Sequence, residues 1–399
     1  MSSWLTILRR HRVVRASAAA IFLYGFAGAA TSPYQSMIAI RELGMSDRAY
    51  AALALASSVA NVLLAVAVGM ISDRFQSYRR PLILVSSFGV LGYGLVWALP
   101  VVPVFVLATL GPLALFHALN SMLFGNVRAH SARFDAEEAR ISNALMRIMI
   151  SLSWVVMPGA VGVALSGQPS MIAAYLIAAT VAGGILLTVT FWLEPDVTPD
   201  TPATAAARPA LHDLRLILAP GLLVRVLGVA LISQMLHINS AVLPLIVTGP
   251  AHGRVEDVGL LVGLVAVLEV IFMVFWVRAT RHLAMTHALL ICAGLYLVYL
   301  AGIALATAPW QVYLASCLAG FAAAGMISLP ISYLLDLIRD RPGLSASLIA
   351  VNMFAGGALG AGVFGLGTAM GGYAMAAVIS GLGGVAGAGL LVALERGRG

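Results

Sequence analysis

Residues 16–40 read ASAAAIFLYGFAGAATSPYQSMIAI, twenty-five residues without one charged side chain. A hydrocarbon core about 30 Å thick takes about 20 apolar residues of helix, at about 1.5 Å each. This stretch can therefore cross a bilayer with residues to spare. It follows a basic segment, Arg9, Arg10, Arg12 and Arg15, and it is rich in small residues, so a cleaved signal sequence is the competing interpretation. The apolar core of a signal sequence runs to about 15 residues at most. The stretch is too long for that and is read as a first membrane span.

The rest of the chain repeats the pattern. Of its 399 residues 61% are hydrophobic and only 10% charged, and the mean hydropathy is +0.99. A soluble domain carries about 25% charged residues to keep its outside wet. Apolar segments fall at 16–40, 50–71, 81–99, 104–124, 141–165, 171–192, 216–247, 258–277, 287–307, 310–335, 344–369 and 372–394, hereafter spans 1 to 12. The fold class expected is an all-α membrane protein with twelve transmembrane helices. Span 7 is too long for a straight crossing: either Pro220 separates an interfacial turn from the helix, or Pro244 bends its outer end.

The net charge of +7 comes from 23 basic residues, all of them arginine. They lie in short connections between apolar runs, which marks them as a topology signal and not a nucleic-acid surface. With the N-terminus inside, 18 arginines face the cytoplasm and three, Arg41, Arg48 and Arg254, face out; Arg147 and Arg225 lie within spans. Both termini are therefore expected on the cytoplasmic side. Cys292 and Cys317 fall in apolar segments near opposite membrane faces, so packing explains them better than a disulfide.

The longest polar stretch, Glu194 to Arg215, holds Pro195, Pro199, Pro202 and Pro209. It cannot bury a core and is read as a cytoplasmic linker, residues 194–215, between six-helix halves at 1–193 and 216–399. The halves share traces of a repeat. Span 5 opens Ile141-Ser142-Asn143-Ala144-Leu145 and span 11 opens Leu344-Ser345-Ala346-Ser347-Leu348, while spans 1 and 7 carry late prolines, Pro33 and Pro244. Two six-span halves with substrate bound between them near the midplane are a recurrent transporter plan.

After span 2 comes Gly69-Met70-Ile71-Ser72-Asp73-Arg74, followed by Arg79 and Arg80. Glycine permits close helix approach, the aspartate suits a facing helix N-terminus, and the arginines suit acids or lipid phosphate. The alternative is an ordinary anchor at the inner face. In sequence and position the segment resembles the signature between helices 2 and 3 of the major facilitator superfamily, which implies the major facilitator fold and a conformational lock built from Gly69, Asp73, Arg74, Arg79 and Arg80. The matching loop of the second half, Arg278 to His282, has no acid. Within that superfamily the chain is similar to bacterial sugar efflux transporters over nearly all of its membrane part. The resemblance is carried by Gly28-Ala29, Pro33 and Arg41-Glu42-Leu43-Gly44, by Met146-Arg147 with Ser151-Leu152-Ser153-Trp154-Val155, by Gly263 and Leu268-Glu269, and by Tyr333, Asp336-Leu337 and Gly343-Leu344-Ser345-Ala346. Met157-Pro158 stands where those transporters tend to have Gly-Pro, and Arg225 matches nothing in them. The resemblance implies proton-coupled sugar or glycoside efflux across a bacterial inner membrane by a monomer, with Arg147, Glu269 and Asp336 in coupling roles.

Ionisable groups within a span cost about 2.5–3.5 kcal/mol each at mid-membrane, so each needs a partner or a wet cavity. Arg147 lies seven residues beyond Arg140 and Glu269 nine before Arg278, so the two share a depth. The resemblance makes spans 5 and 8 neighbours across the halves. An ion pair there would be a static bridge or one that opens on proton or substrate binding; a snorkelling Arg147 is the third reading. His117 and Asn120 are three apart on one face of span 4, as are Gln234 and His237 on span 7, with Asn239 turned away. These, with Tyr24, Gln35, Asn61, Asn352 and the aromatic face of Trp154, are the candidate substrate contacts. Their alternative is hydrogen bonding between helices. The glycines of span 11, from Gly356 to Gly367, serve close packing, sliding against span 2, or both.

Paired carboxylates, a Ser-His-Asp set, a phosphate loop and metal-ligand spacing are all missing from the sequence, so no enzyme, cofactor or metal is expected. The alternatives kept are a multidrug exporter of the same superfamily and a non-transporting sensor, which would want a soluble output domain. Without a nucleotide motif the energy must come from a gradient. One charge moving through 100 mV supplies about 2.3 kcal/mol, enough for roughly a 50-fold solute gradient.

Overall fold

The computed structural model describes residues 4–75, 77–130, 134–168, 170–195, 219–338 and 342–396; the side chains at 5, 66, 69–75, 136 and 342–347 fall outside that description. Every regular element among the described residues is helical. Among the described residues, eleven helices are long and apolar enough to cross a membrane. Spans 1 to 10 correspond to Arg12–Glu42, Asp47–Ala65 (within a helix that continues to Phe75), Arg79–Ala98, Val102–His130, Glu137–Ala164, Ala173–Phe191, Pro220–Val247, Val255–Ala279, Met285–Ala304 and Pro309–Leu337.

The eleventh, Leu348–Arg396, has 49 residues. Straight, it would measure about 74 Å, over twice the hydrocarbon thickness. Its backbone leaves helical geometry at Gly371 and Gly372, the latter with φ 76°, which an L side chain rarely tolerates. A Cβ on Gly367 would collide with the backbone of Ala376. In one straight helix residues nine apart lie about 14 Å from each other. The chain therefore doubles back at the glycine pair, where the sequence places the junction of spans 11 and 12.

Helix boundaries follow local chemistry. Span 5 starts at Ala136 and not at Ile141, because Asp135 Oδ1 accepts the Glu138 N–H at 2.7 Å and Glu138 Oε2 accepts the Asp135 N–H at 3.4 Å. That reciprocal cap satisfies donors which a helix start otherwise leaves open. Span 7 begins with Pro220 in its first turn, where the missing N–H costs nothing, and continues through Pro244. Residues 216–218, the start of the apolar segment, lie outside the described residues. Pro33 acts differently: span 1 passes from α-helix to a 3-10 turn at Ser32–Tyr34 and then to a π-turn at Ile38–Glu42. Span 4 is interrupted twice, at Gly111 ahead of Pro112 and at Ala118.

The chain forms two compact units. The first comprises residues 1–45 and 59–203, the second residues 46–58 and 204–399. In the first, span 1 packs on spans 5 and 6, and span 3 on span 6. Ser153 of span 5 sits so close to span 1 that a Cβ on Gly25 would lie 2.8 Å from its Oγ. Without a hydrophobic drive between helices in lipid, such small-residue contacts are what hold them together. In the second unit, span 7 packs along the final helix and span 8 against span 10. Residues 46–58, assigned from sequence to the first half, belong here because Tyr373 donates to Asp47 Oδ1 at 3.0 Å and Tyr50 packs edge-on to Phe364 at 5.4 Å. The proposed linker lies outside the described residues from residue 196 to its end.

Candidate functional site

In the first unit the structure brings two candidate residues together. Tyr24 Oη and His117 Nδ1 are 3.2 Å apart, and His117 is exposed although it lies in the middle of an apolar span. Phe116, fully buried, packs against both Tyr24 and Tyr93 at 5.4 and 5.6 Å between ring centres. The Asn61 and Asn120 side-chain oxygens are shielded from solvent and accept no hydrogen bond from a described residue. Trp154, half-buried, follows Ser153, whose Oγ donates to the Phe22 carbonyl of span 1 at 2.8 Å. Arg147 is exposed two turns earlier, and among the described residues of its own unit it has no acidic partner. Gln35 lies in the short helical turn after Pro33, half-buried.

The second unit treats its polar groups differently. Gln234 is fully buried: its amide donates to the Ser380 carbonyl at 2.8 Å and the Leu231 carbonyl at 3.1 Å, and it accepts the Ser380 hydroxyl at 2.9 Å. That leaves no free donor for a ligand. Asn352 is buried and donates to Ser233 Oγ at 3.0 Å. Asn239 accepts the Tyr299 hydroxyl at 2.7 Å, in keeping with its being turned away. His237, half-buried, lies against span 11, where a Cβ on Gly360 would come within 3.0 Å of its Cβ. Glu269 is half-buried and, among the described residues of its own unit, has no hydrogen-bond or ion-pair partner. Asp336 is exposed in the last turn of span 10.

Of the candidate lock, Gly69, Asp73 and Arg74 have side chains outside the described set, as do Gly343 to Ser345, the expected partners of Asp73. Arg80 is exposed, and Arg79 donates to the Thr190 carbonyl at 2.7 Å, in the last turn of span 6. Arg12 donates to the carbonyls of Phe191 and Trp192 at the same helix end, each at 3.0 Å. Cations suit the negative end of a helix. Arg225, unmatched from sequence, does likewise: it is buried and donates to Gly221 O at 3.0 Å and to Leu394 O, in the final turn of the last helix, at 3.4 Å.

Sequence reading missed two polar ties. Glu42, quoted only for its resemblance, accepts the Ser170 hydroxyl at 2.5 Å and the Met171 N–H at 2.9 Å ahead of span 6. Its charge beside a helix start was the available signal. Ser380 gave none, because serine in an apolar helix is common and its partner is 146 residues away.

Comparison with known proteins bears on this arrangement. The family model described as Major Facilitator Superfamily matches residues 17–361. A protein of Deinococcus radiodurans described as "Putative sugar efflux transporter" is 30% identical over 314 residues, covering 77% of this chain and 80% of its own. Among solved structures, the nucleoside transporter NupG superposes with a TM-score of 0.79 at 12% identity, over 97% of this chain and all of its own. A POT family transporter bound to a thioalcohol-conjugated peptide gives 0.80 at 9% identity, over 96% of each chain. The bacterial homologue of the human lysosomal transporter Spinster gives 0.74 at 12%, over 98% and 97%. At such identities these structures speak for the fold alone. With the family match spanning nine complete helices among the described residues and the sugar-efflux relative covering most of the chain, this multi-pass membrane protein belongs to the Major Facilitator Superfamily and is a transporter, not an enzyme.

Proposed function

We propose that the chain is a secondary active transporter that exports sugars or glycosides in exchange for protons by alternating access. The observation that carries this reading is the set of polar side chains within apolar spans of the first unit: the exposed His117 held by Tyr24, and the shielded, unpartnered oxygens of Asn61 and Asn120. Sugars call for such neutral donors and acceptors, with an aromatic face such as Trp154 for the ring. The sugar-efflux description of the Deinococcus relative supports the substrate class. The second unit contributes His237, while its Gln234 and Asn352 serve as ties between helices.

Twelve crossings follow if the final helix counts as two on either side of Gly371–Gly372. The arginine bias supports cytoplasmic termini in a bacterial inner membrane. Arg147 and Glu269, at one depth by residue count and each without a partner in its own unit among the described residues, take the coupling roles in a monomeric carrier. Asp336 assists at the inner face. Gly69, Asp73, Arg74, Arg79 and Arg80 act as the conformational lock, Arg79 through its hold on span 6.

The deciding experiment is counterflow of labelled sugars in proteoliposomes with and without a pH gradient, alongside a nucleoside, a dipeptide and a lipophilic cation. Sugar exchange that becomes uphill movement under the gradient is expected. Exchange of the lipophilic cation alone would favour the multidrug reading.

A further inference from the structure

We infer that His117, held by Tyr24, is a protonation site of the transport cycle, and that proton binding there reverses their hydrogen bond and so changes what the pair offers a substrate. This rests on the proton-coupled sugar reading and gives the proton a place in the first unit, apart from Glu269.

The argument begins with the backbone. Span 4 is broken at Gly111 and again at Ala118, whose N–H bonds to the Leu115 carbonyl at 3.0 Å in a tight turn. Pro112–His117 is thereby a short segment with a break on each side. Phe116 anchors it: its ring is fully buried and fills the space where a Cβ on Gly89 would collide. His117, the next residue, is exposed with one ring nitrogen committed to Tyr24. A histidine kept only for packing would be covered, with its polar atoms satisfied by backbone.

The chemistry follows from the inventory of donors. In the neutral ring Nδ1 accepts the Tyr24 O–H and Nε2 carries the hydrogen, so the pair presents one N–H donor and the phenol's lone pairs. When a proton from water adds to Nδ1, that nitrogen becomes a donor to Tyr24 Oη. The phenol hydrogen must then turn away, and the pair presents two donors and one positive charge. The proton leaves a hydronium ion, whose O–H bond breaks as the N–H forms, and no other covalent bond changes. A hydroxyl that donated to Tyr24 in the first state meets a donor in the second, so proton and sugar compete for one arrangement.

The surroundings of the pair within its unit are sparse in charge. Span 1 offers Tyr24 itself, Arg12 and Arg15 at its inner end, and Arg41 and Glu42 at its outer end; span 3 offers Tyr93, with Arg79 and Arg80 at its inner end; the rest of span 4 offers Arg128 and His130. Span 5, packed on span 1, offers Glu137, Glu138, Arg140 and Arg147. Glu42 is the sole acid of spans 1, 3 and 4, and it is taken by Ser170 and Met171. Protonation of His117 therefore adds a charge that no carboxylate of those three spans neutralises in place.

The test uses the full-length protein in nanodiscs with ring-15N histidine, titrated by NMR from about pH 8 to about pH 4. The resonance that His117→Gln deletes should show an unprotonated Nδ1 at high pH, gain a proton within the window, and shift its tautomer balance in Tyr24→Phe. A resonance that does not titrate, or that ignores Tyr24→Phe, overturns the inference. In parallel, sugar counterflow by the wild type should change severalfold across the same range, and the ratio between the two pH extremes should flatten in both variants. A ratio that persists in His117→Gln also overturns it. If His117 titrates and responds to Tyr24 but no sugar exchanges, the sugar reading fails and the protonation site stands.

Discussion

Replacing Gln234 by leucine tests whether that residue holds helices or substrate. The change removes two bonds to Ser380, the amide donating to its carbonyl at 2.8 Å and the hydroxyl donating back at 2.9 Å. Interhelical hydrogen bonds in membrane proteins average about 0.6 kcal/mol each, giving about 1.2 kcal/mol for the pair. A stranded buried hydroxyl adds roughly 1–3 kcal/mol, at the low end here because a helical serine can turn to its own i−4 carbonyl. The expected loss is about 2 kcal/mol, roughly a 30-fold fall in the folded-to-unfolded ratio. Ser380→Ala removes one bond and should cost about 1 kcal/mol. The double variant should cost less than the sum by at least about 0.6 kcal/mol, since either change alone already breaks the shared bond. Unfolding in mixed micelles with increasing dodecyl sulfate, followed by far-ultraviolet circular dichroism, measures all four proteins. Additive losses, or a sharp fall in sugar affinity with unchanged stability, would refute the structural assignment.

Four further outcomes are expected. Alkaline phosphatase fused after Ala205 should be inactive, as the arginine bias requires; high activity there would reverse the topology. Gly25→Leu should destabilise by about 1–3 kcal/mol in the same unfolding assay, because Ser153 Oγ lies 2.8 Å from where the new Cβ would be. Asn120→Leu removes a buried acceptor without a partner, so it should raise the unfolding midpoint slightly while weakening sugar exchange; a lowered midpoint would mean the oxygen is satisfied in the working protein. Finally, Glu269→Gln should lower the ratio of uphill export to counterflow, and an unchanged ratio would sink the coupling role.

The helices were legible because length and apolarity are all a lipid-facing helix needs, and those are local. What the sequence did not yield has physical reasons too. The start of span 5 was placed five residues late because apolar onset was weighed above the Asp135–Glu138 cap, which lies in polar sequence. The breaks in span 4 were missed since Gly111-Pro112 and Ala118 sit in an unbroken apolar run, where hydropathy carries no dihedral information. Among candidate contacts, Gln234 is tied to Ser380 and His237 lies by Gly360, on the two arms of the final helix. Whether a polar side chain is open or consumed depends on the neighbouring helix, and neither Ser380 nor Ser233 announces itself as a partner.

The same distinction organises the molecule. A polar group within a bilayer-spanning bundle is tolerated when a partner satisfies it; Gln234, Asn352 and Asn239 have one, and Arg225 has partners for its two terminal nitrogens but none for Nε among the described residues. The oxygens of Asn61 and Asn120 have none among the described residues, and each carries a penalty of about 1–3 kcal/mol that a leucine would avoid. A chain that is 61% hydrophobic had apolar residues at hand for those positions. A stability cost kept at two sites in the unit that also exposes His117 is what a binding surface requires, because groups already satisfied by the protein have nothing to offer a sugar. Recognition is therefore expected to draw on the first unit more than on the second. In the second unit the satisfied ties join span 7 to span 9 and to both arms of the final helix, which favours motion of those helices as one piece.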